Sequence, residues 1–138
     1  VAARINRAYS RGGWTPIRVE IEDNIDRAIA AYRNYDVLLV NPIYDGMNLV
    51  AKEGPLCNRK DGVLVLSENA GSHEELGDFA LTVNPFDIDE TADALHRGLV
   101  MDTRQRKARI GRIRDTVRAN DIARWISLQL QDLRELIG

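Results

Sequence analysis

Three short apolar runs, each followed by a helix signal, limit what this chain can fold into. "DVLLVNP" (residues 36–42) and "GVLVLS" (62–67) are nearly continuous apolar stretches, and "ALTVNP" (80–85) is a third. A run without polar alternation reads as a strand covered on both faces, as in a parallel sheet. An earlier segment, "PIRVEI" (16–21), alternates apolar and polar side chains and predicts a further strand.

Helical patterns lie between them. Ile25, Ile29 and Tyr32 share a face, with Asp23 or Asn24 as N-cap. Ser72 and Glu75 have the spacing of a capping box. Asp87 and Glu90 cap a helix whose Ile88, Ala92, Leu95 and Leu99 form one stripe. In the tail, Ile110, Ile113 and Val117 make one stripe and Trp125, Leu128, Leu133 and Leu136 another, broken at Asn120 and Asp121. Residues 1–101 therefore read as βα units and 102–138 as C-terminal helices. Repeated βα units predict a Rossmann-like α/β fold, with a parallel sheet, flanking helices and right-handed crossovers. Ligands of such sheets bind at the carboxyl ends of the strands.

Composition narrows the function. With 138 residues there is room for one domain and a core, and a net charge of −2 gives no reason to expect nucleic acid. No apolar run approaches the roughly 20 residues of a membrane span. Cys57 is the only cysteine, which excludes an internal disulfide and fits a reducing cytoplasm. The chain opens inside a helical pattern, "VAARINRAYSRGG", with neither Met nor secretory signal, and reads as a piece of something longer.

"YDGMNLVAKEG" (44–54) stands at the carboxyl end of the 36–42 strand. Gly46 permits a sharp strand-to-helix turn, with a helix predicted to start near Met47. Free N–H groups at 47–50 would attract phosphate through their alignment and the helix dipole. Asp45 and Asn48 offer hydrogen-bonding groups suited to sugar hydroxyls. Glu53, four residues after Leu49, presents a carboxylate that a ribose diol can meet. Chemistry alone equally allows Asp45 to be a helix cap and Glu53 a solvated helix residue.

"DGMNLVAKE" (45–53) resembles the nucleotide-sugar motif of the trehalose-6-phosphate synthase family. "GGWTPI" (12–17), "GVLVLS", "NAG" (69–71), "VNPFD" (83–87) and "NDI" with Trp125 fall in the family's order and approximate spacing. The resemblance implies a retaining glycosyltransferase of GT-B architecture, with two Rossmann-like domains facing a cleft. This chain would be part of the C-terminal, donor-binding domain, and the N-terminal acceptor domain would be missing from it. The implied donor is UDP-glucose or a similar nucleotide sugar, and the acceptor is glucose-6-phosphate. Asp45, Gly46, Met47 and Asn48 would meet the glucose, with Asp45 the candidate catalytic carboxylate. Leu49 and Val50 would offer backbone N–H groups to the diphosphate, and Glu53 would hold the ribose. A base contact would fall near Asn24 or Ile25. No metal and no cofactor are implied, and a homo-oligomer is compatible with the family. A related branch couples a GDP-activated cyclitol in validamycin-type pseudosugars. A non-catalytic domain that binds nucleotide sugar is the reading from another class.

Two departures from the family pattern stand out: Tyr44 replaces an Arg, and Gly54-Pro55 follows Glu53 and predicts a kinked or shortened helix. The family's first two donor-domain strands have no counterpart here. A gap, or a different pairing, is expected between the 16–21 and 36–42 strands. His73, His96 and Cys57 read as structural residues. Trp14 and Pro16 read as packing at a strand start, and Trp125 as a core anchor, while the resemblance implies an interface with the N-terminal domain for its exposed side. The seven basic residues from Arg104 to Arg118 read as a solvated helix face.

Overall fold

The computed structural model describes residues 1–137. In chain order the elements are α1 (Ala2–Tyr9), α2 (Ile25–Asn34), β1 (Val37–Val40), α3 (Val50–Cys57), β2 (Val63–Ser67), α4 (His73–Leu76), β3 (Leu81–Val83), α5 (Ile88–Val100), α6 (Thr103–Ala119) and α7 (Ile122–Ile137). The strands form a parallel sheet in the order β1-β2-β3, with Val37 opposite Val63 and Val65 opposite Leu81.

The apolar runs behave as a two-sided sheet requires. All of β2 is buried. Leu64 and Leu66 face one way, into a cluster with Val40, Ala51, Leu76 and Ile113. Val63 and Val65 face the other way, with Leu81, Val83 and Ala94. Helices α3, α4 and α6 cover the first face and α5 covers the second.

The expected strand at 16–21 does not form. The segment is irregular, and Val19 and Ile21 are exposed. Alternation prepares a chain to pair, but a ladder needs a neighbour, and no strand stands between this segment and β1. Trp14, expected to pack, is also exposed and makes only a short bridge to Arg11.

Helix faces are set by how closely each helix lies on the sheet. On α5 the buried positions are Ala94 and Gly98, while Ile88 and Leu99 of the predicted stripe are exposed. A Cβ on Gly98 would come within 3.0 Å of Val37, so small residues rather than large ones face the sheet. The α6 stripe of Ile110, Ile113 and Val117 is inside as expected. The α7 stripe is not: Trp125, Leu128, Leu133 and Leu136 are all exposed. Helix α3 passes through Pro55 to Cys57 instead of ending early. Gly54 explains its position, because a Cβ there would sit 2.5 Å from Leu38 Cδ2.

Polar side chains close the amino ends of the strands. Asn58 Nδ2 donates to the carbonyls of Tyr32 (3.1 Å) and Tyr35 (2.9 Å), and its Oδ1 accepts from the N–H groups of Lys60 (2.9 Å) and Gly62 (2.8 Å). The basic run on α6 is more than a solvated face. Arg106 donates to Asp36 O and Asp61 O, Arg109 to Phe79 O and Ala80 O, and Arg114 to Pro55 O and Asn58 O. Apolar spacing fixed the stripe between these arginines, but nothing in it showed that they would hold backbone carbonyls.

Asn58→Ala should therefore cost well above an average substitution, since an orphaned buried group costs about 1–3 kcal/mol. Urea unfolding of the variant is expected to show an unfolding free energy lower by about that amount and a correspondingly lower midpoint. An unchanged midpoint would show that water replaces the amide without loss.

Candidate functional site

The loop after β1 is built against the loop after β2. Gly71 N donates to Asp45 O (2.8 Å) and Ser72 N to Met47 O (2.8 Å), and Asp45 forms a parallel bridge with Ala70. The loops touch at Gly71, where a Cβ would lie 2.0 Å from the Gly46 carbonyl oxygen. Packing thus demands glycine in "NAG". At Gly46 a Cβ would meet nothing within 4 Å, and its φ is not positive. The left-handed residue is Asn48, at φ 69°. The turn expected of Gly46 is made two residues later, by a residue type whose side chain stabilises that conformation.

Asp45 and Asn48 organise this turn. Asp45 Oδ1 accepts from Met47 N (3.0 Å) and Oδ2 from Asn48 Nδ2 (3.0 Å). Asn48 Oδ1 in turn accepts from Ala51 N (3.1 Å), capping α3. The helix therefore starts at Val50, later than the expected Met47. The Met47 N–H, with the Asn48 amide next, holds the Asp45 carboxyl below the usual carboxylate range, and partial burial opposes this.

With Asn48 capping Ala51, the backbone N–H groups of Leu49 and Val50 make no hydrogen bond among the described residues. They are adjacent donors at a helix start, where the dipole also favours an anion. Glu53 is exposed in the first turn of α3, and its carboxylate makes no ion pair or hydrogen bond among the described residues. Its charge, after burial, helps raise the Tyr32 hydroxyl pKa, so Glu53 stands toward α2.

A groove of about 580 Å³ opens on another side of the loop, between Met47, Leu49 and Lys52 and the α7 residues Trp125 and Leu128. Lys52 Nζ lies 2.6 Å from Glu75 Oε1 in its wall. Neither Asp45 nor Glu53 lines this groove. Both lie at the carboxyl end of β1, on different parts of the loop and helix. The expected Ser72–Glu75 capping box is absent: the buried Ser72 hydroxyl has no partner, and Glu75 is taken by Lys52. Sequence reasoning missed Lys52, Glu75 and Trp125 as groove residues, since an i to i+23 ion pair leaves no local signal. His73 is structural, its Nε2 lying 2.9 Å from Thr82 Oγ1.

The model of glycosyltransferase family 20 matches residues 1–135. Trehalose-6-phosphate synthase of Klebsiella pneumoniae subsp. pneumoniae is 44% identical, over 98% of this chain and 29% of its own length. The chain thus spans under a third of the curated relatives it matches. The crystal structure of alpha,alpha-trehalose 6-phosphate synthase from Burkholderia multivorans aligns at TM-score 0.89 and 42% identity, over 99% of this chain and 29% of that one. An E. coli trehalose-6-phosphate structure bound with UDP-2-fluoro glucose aligns at TM-score 0.87 and 42% identity, over 96% and 30%. A UDP-forming synthase from Burkholderia xenovorans in complex with glucose-6-phosphate aligns at TM-score 0.87 and 40% identity, over 96% and 30%.

The Asp45 geometry generates a pH prediction. A carboxyl whose folded pKa is lowered adds stability above its unfolded pKa, and loses it as pH falls through the lowered folded value. Asp45→Asn should flatten that acid part of the stability curve relative to the parent chain. An NMR titration of the Asp45 carboxyl should place its midpoint below that of a free aspartate; an ordinary midpoint would mean that the turn does not hold it.

Proposed function

Because the chain belongs to glycosyltransferase family 20, we propose that it is the donor-binding part of a retaining glucosyltransferase of GT-B architecture. The whole enzyme moves glucose from UDP-glucose to glucose-6-phosphate and releases trehalose-6-phosphate and UDP. In support, one similar structure is bound with UDP-2-fluoro glucose and another is in complex with glucose-6-phosphate. The observation that carries the reading is the pair of unpartnered N–H groups at Leu49 and Val50, beside a turn locked by Asp45 and Asn48.

The chemistry follows from that arrangement. Cleaving the bond to the anomeric carbon puts negative charge on the departing diphosphate. Fixed N–H donors stabilise that charge without reorganising. The sugar becomes oxocarbenium-like, and the ionised Asp45 orients it, with Gly46, Met47 and Asn48 forming the rest of the glucose contact. The unobstructed space above Gly46 is where a ring can approach the backbone. The acceptor attacks from the face the diphosphate leaves, and a phosphate oxygen takes its proton, which preserves configuration. The Glu53 carboxylate, without a partner among the described residues, accepts from the ribose hydroxyls. The reading assigns no metal and no cofactor, since the nucleotide sugar is itself a substrate. It assigns the enzyme to the cytoplasm, a reducing compartment that suits the free Cys57 thiol. An N-terminal domain supplies the acceptor site.

Two measurements test it. Glu53→Ala in the full-length protein should weaken UDP-glucose binding by about 1.5–3 kcal/mol for each charge-assisted bond lost. Unchanged affinity by calorimetry would remove Glu53 from the donor site. The 138-residue chain alone should form no trehalose-6-phosphate. Positioning two substrates together supplies roughly 7–11 kcal/mol in favourable intramolecular systems. Turnover by the isolated chain would place the acceptor site inside it.

A further inference from the structure

Four arginines, Arg33, Arg59, Arg114 and Arg118, line a cleft of about 520 Å³, with Leu56, Cys57 and Asn58 in its wall. The cleft is at the opposite end of the sheet from the Asp45 loop. Arg33 closes α2 just before β1, and Asn58 and Arg59 follow α3 just before β2. Arg59 N donates to Arg33 O (3.1 Å), which draws the two segments together.

The charges there are unequally compensated. Arg114 is fixed, its Nε 2.9 Å from Pro55 O, its Nη2 2.6 Å from Asn58 O and its Nη1 3.6 Å from Asp61 Oδ1. The guanidinium groups of Arg33, Arg59 and Arg118 make no ion pair among the described residues. Nearby acids do not serve them: Asp36 faces Lys60 and Arg106, and Asp115, one turn before Arg118, pairs with nothing described. No carboxylate lines the cleft. The Tyr35 hydroxyl, within electrostatic reach of Arg114 and Cys57, is buried with no partner. A solvated helix face accounts for isolated cations such as Arg104 and Lys107. It does not account for cations from three separate segments lining one concavity.

We propose that this cleft binds a small phosphate-bearing molecule at a site separate from the donor site. Guanidinium groups match phosphate oxygens in forked pairs, and several in one concavity lower the repulsion among themselves only when an anion enters. The volume falls within the roughly 300–1,000 Å³ of small-molecule sites. Helix α3 alone, eight residues and about 12 Å long, separates the cleft from Leu49 and Val50.

The test is an NMR titration of the full-length protein with inorganic pyrophosphate, repeated with excess UDP to occupy the donor loop. Saturable shifts are expected at Arg33, Cys57, Asn58 and Arg59, and they should persist in UDP. Inorganic phosphate, titrated in parallel, should saturate the same residues at higher concentration. Replacing Arg33, Arg59 and Arg118 by Gln, with Arg114 kept for its backbone bonds, should weaken pyrophosphate at least about tenfold. Circular dichroism checks that the variant still folds; should it not, the titration of the parent chain decides alone. Shifts confined to Met47–Glu53, or reproduced by sodium chloride at matched ionic strength, would overturn the proposal. So would undiminished binding by a folded triple variant.

Discussion

A parallel strand buried on both faces leaves the chain few choices, and β2 is such a strand. Its Val63 and Val65 need cover on one side and its Leu64 and Leu66 on the other, so helices must pass over both. Its neighbours must run parallel, because each connection crosses back through a helix. With β2 enclosed, polar groups gather at the strand ends. The amino ends and the carboxyl ends then receive opposite treatment.

At the amino ends the backbone is closed. Asn58 holds four backbone groups, and three arginines of α6 donate to six carbonyls. Bonds from charged donors contribute more than neutral ones, and five of these six contacts are partly buried, where an under-satisfied carbonyl costs more. At the carboxyl ends the polar groups bond to one another. Asp45, Asn48 and Ala51 form a short chain of contacts that fixes the turn and leaves the next two N–H groups unused. Rigid surroundings around unused donors are what charge stabilisation at a reacting centre needs, because nothing has to be reordered as the charge develops.

How far this was legible from sequence depends on the range of the interaction. The β2 strand, the α6 stripe, the Asp87 cap and, as one of two candidates, the Asn24 cap were readable, since each is fixed by neighbours a few residues away. Residues 16–21 carried the right alternation but no partner strand, and pairing is not a local property. The α5 face was misread because Gly98 and Ala94 approach the sheet closely, which reverses the usual preference for large residues. In the motif, the residue types pointed to an anion-receptive turn. The division of labour did not show: Asn48 rather than Gly46 takes the left-handed backbone, and Gly71 is the glycine that packing demands. The Lys52–Glu75 pair and the Trp125 groove wall depend on contacts between distant segments.

The two ends of α3 separate what helix electrostatics explains from what it does not. A helix start favours anions and a helix end favours cations, each by about 0.3–1 kcal/mol near the surface. The unpaired N–H groups at Leu49 and Val50 follow from the first rule, and Arg114 on the carbonyls of Pro55 and Asn58 follows from the second. One cation is enough to complement the end of an eight-residue helix, and the dipole's influence fades within a turn. Arg33 belongs to α2, Arg59 to the loop beyond Asn58, and Arg118 lies one turn past Arg114 on α6. Their convergence adds like-charge repulsion that the helix end does not offset. A fold that carries such a cluster with three of its four arginines unpaired among the described residues has either let it spread into solvent or keeps it for an anion. Arg59 N bonded to Arg33 O holds two of these segments together, and that backbone contact works against spreading.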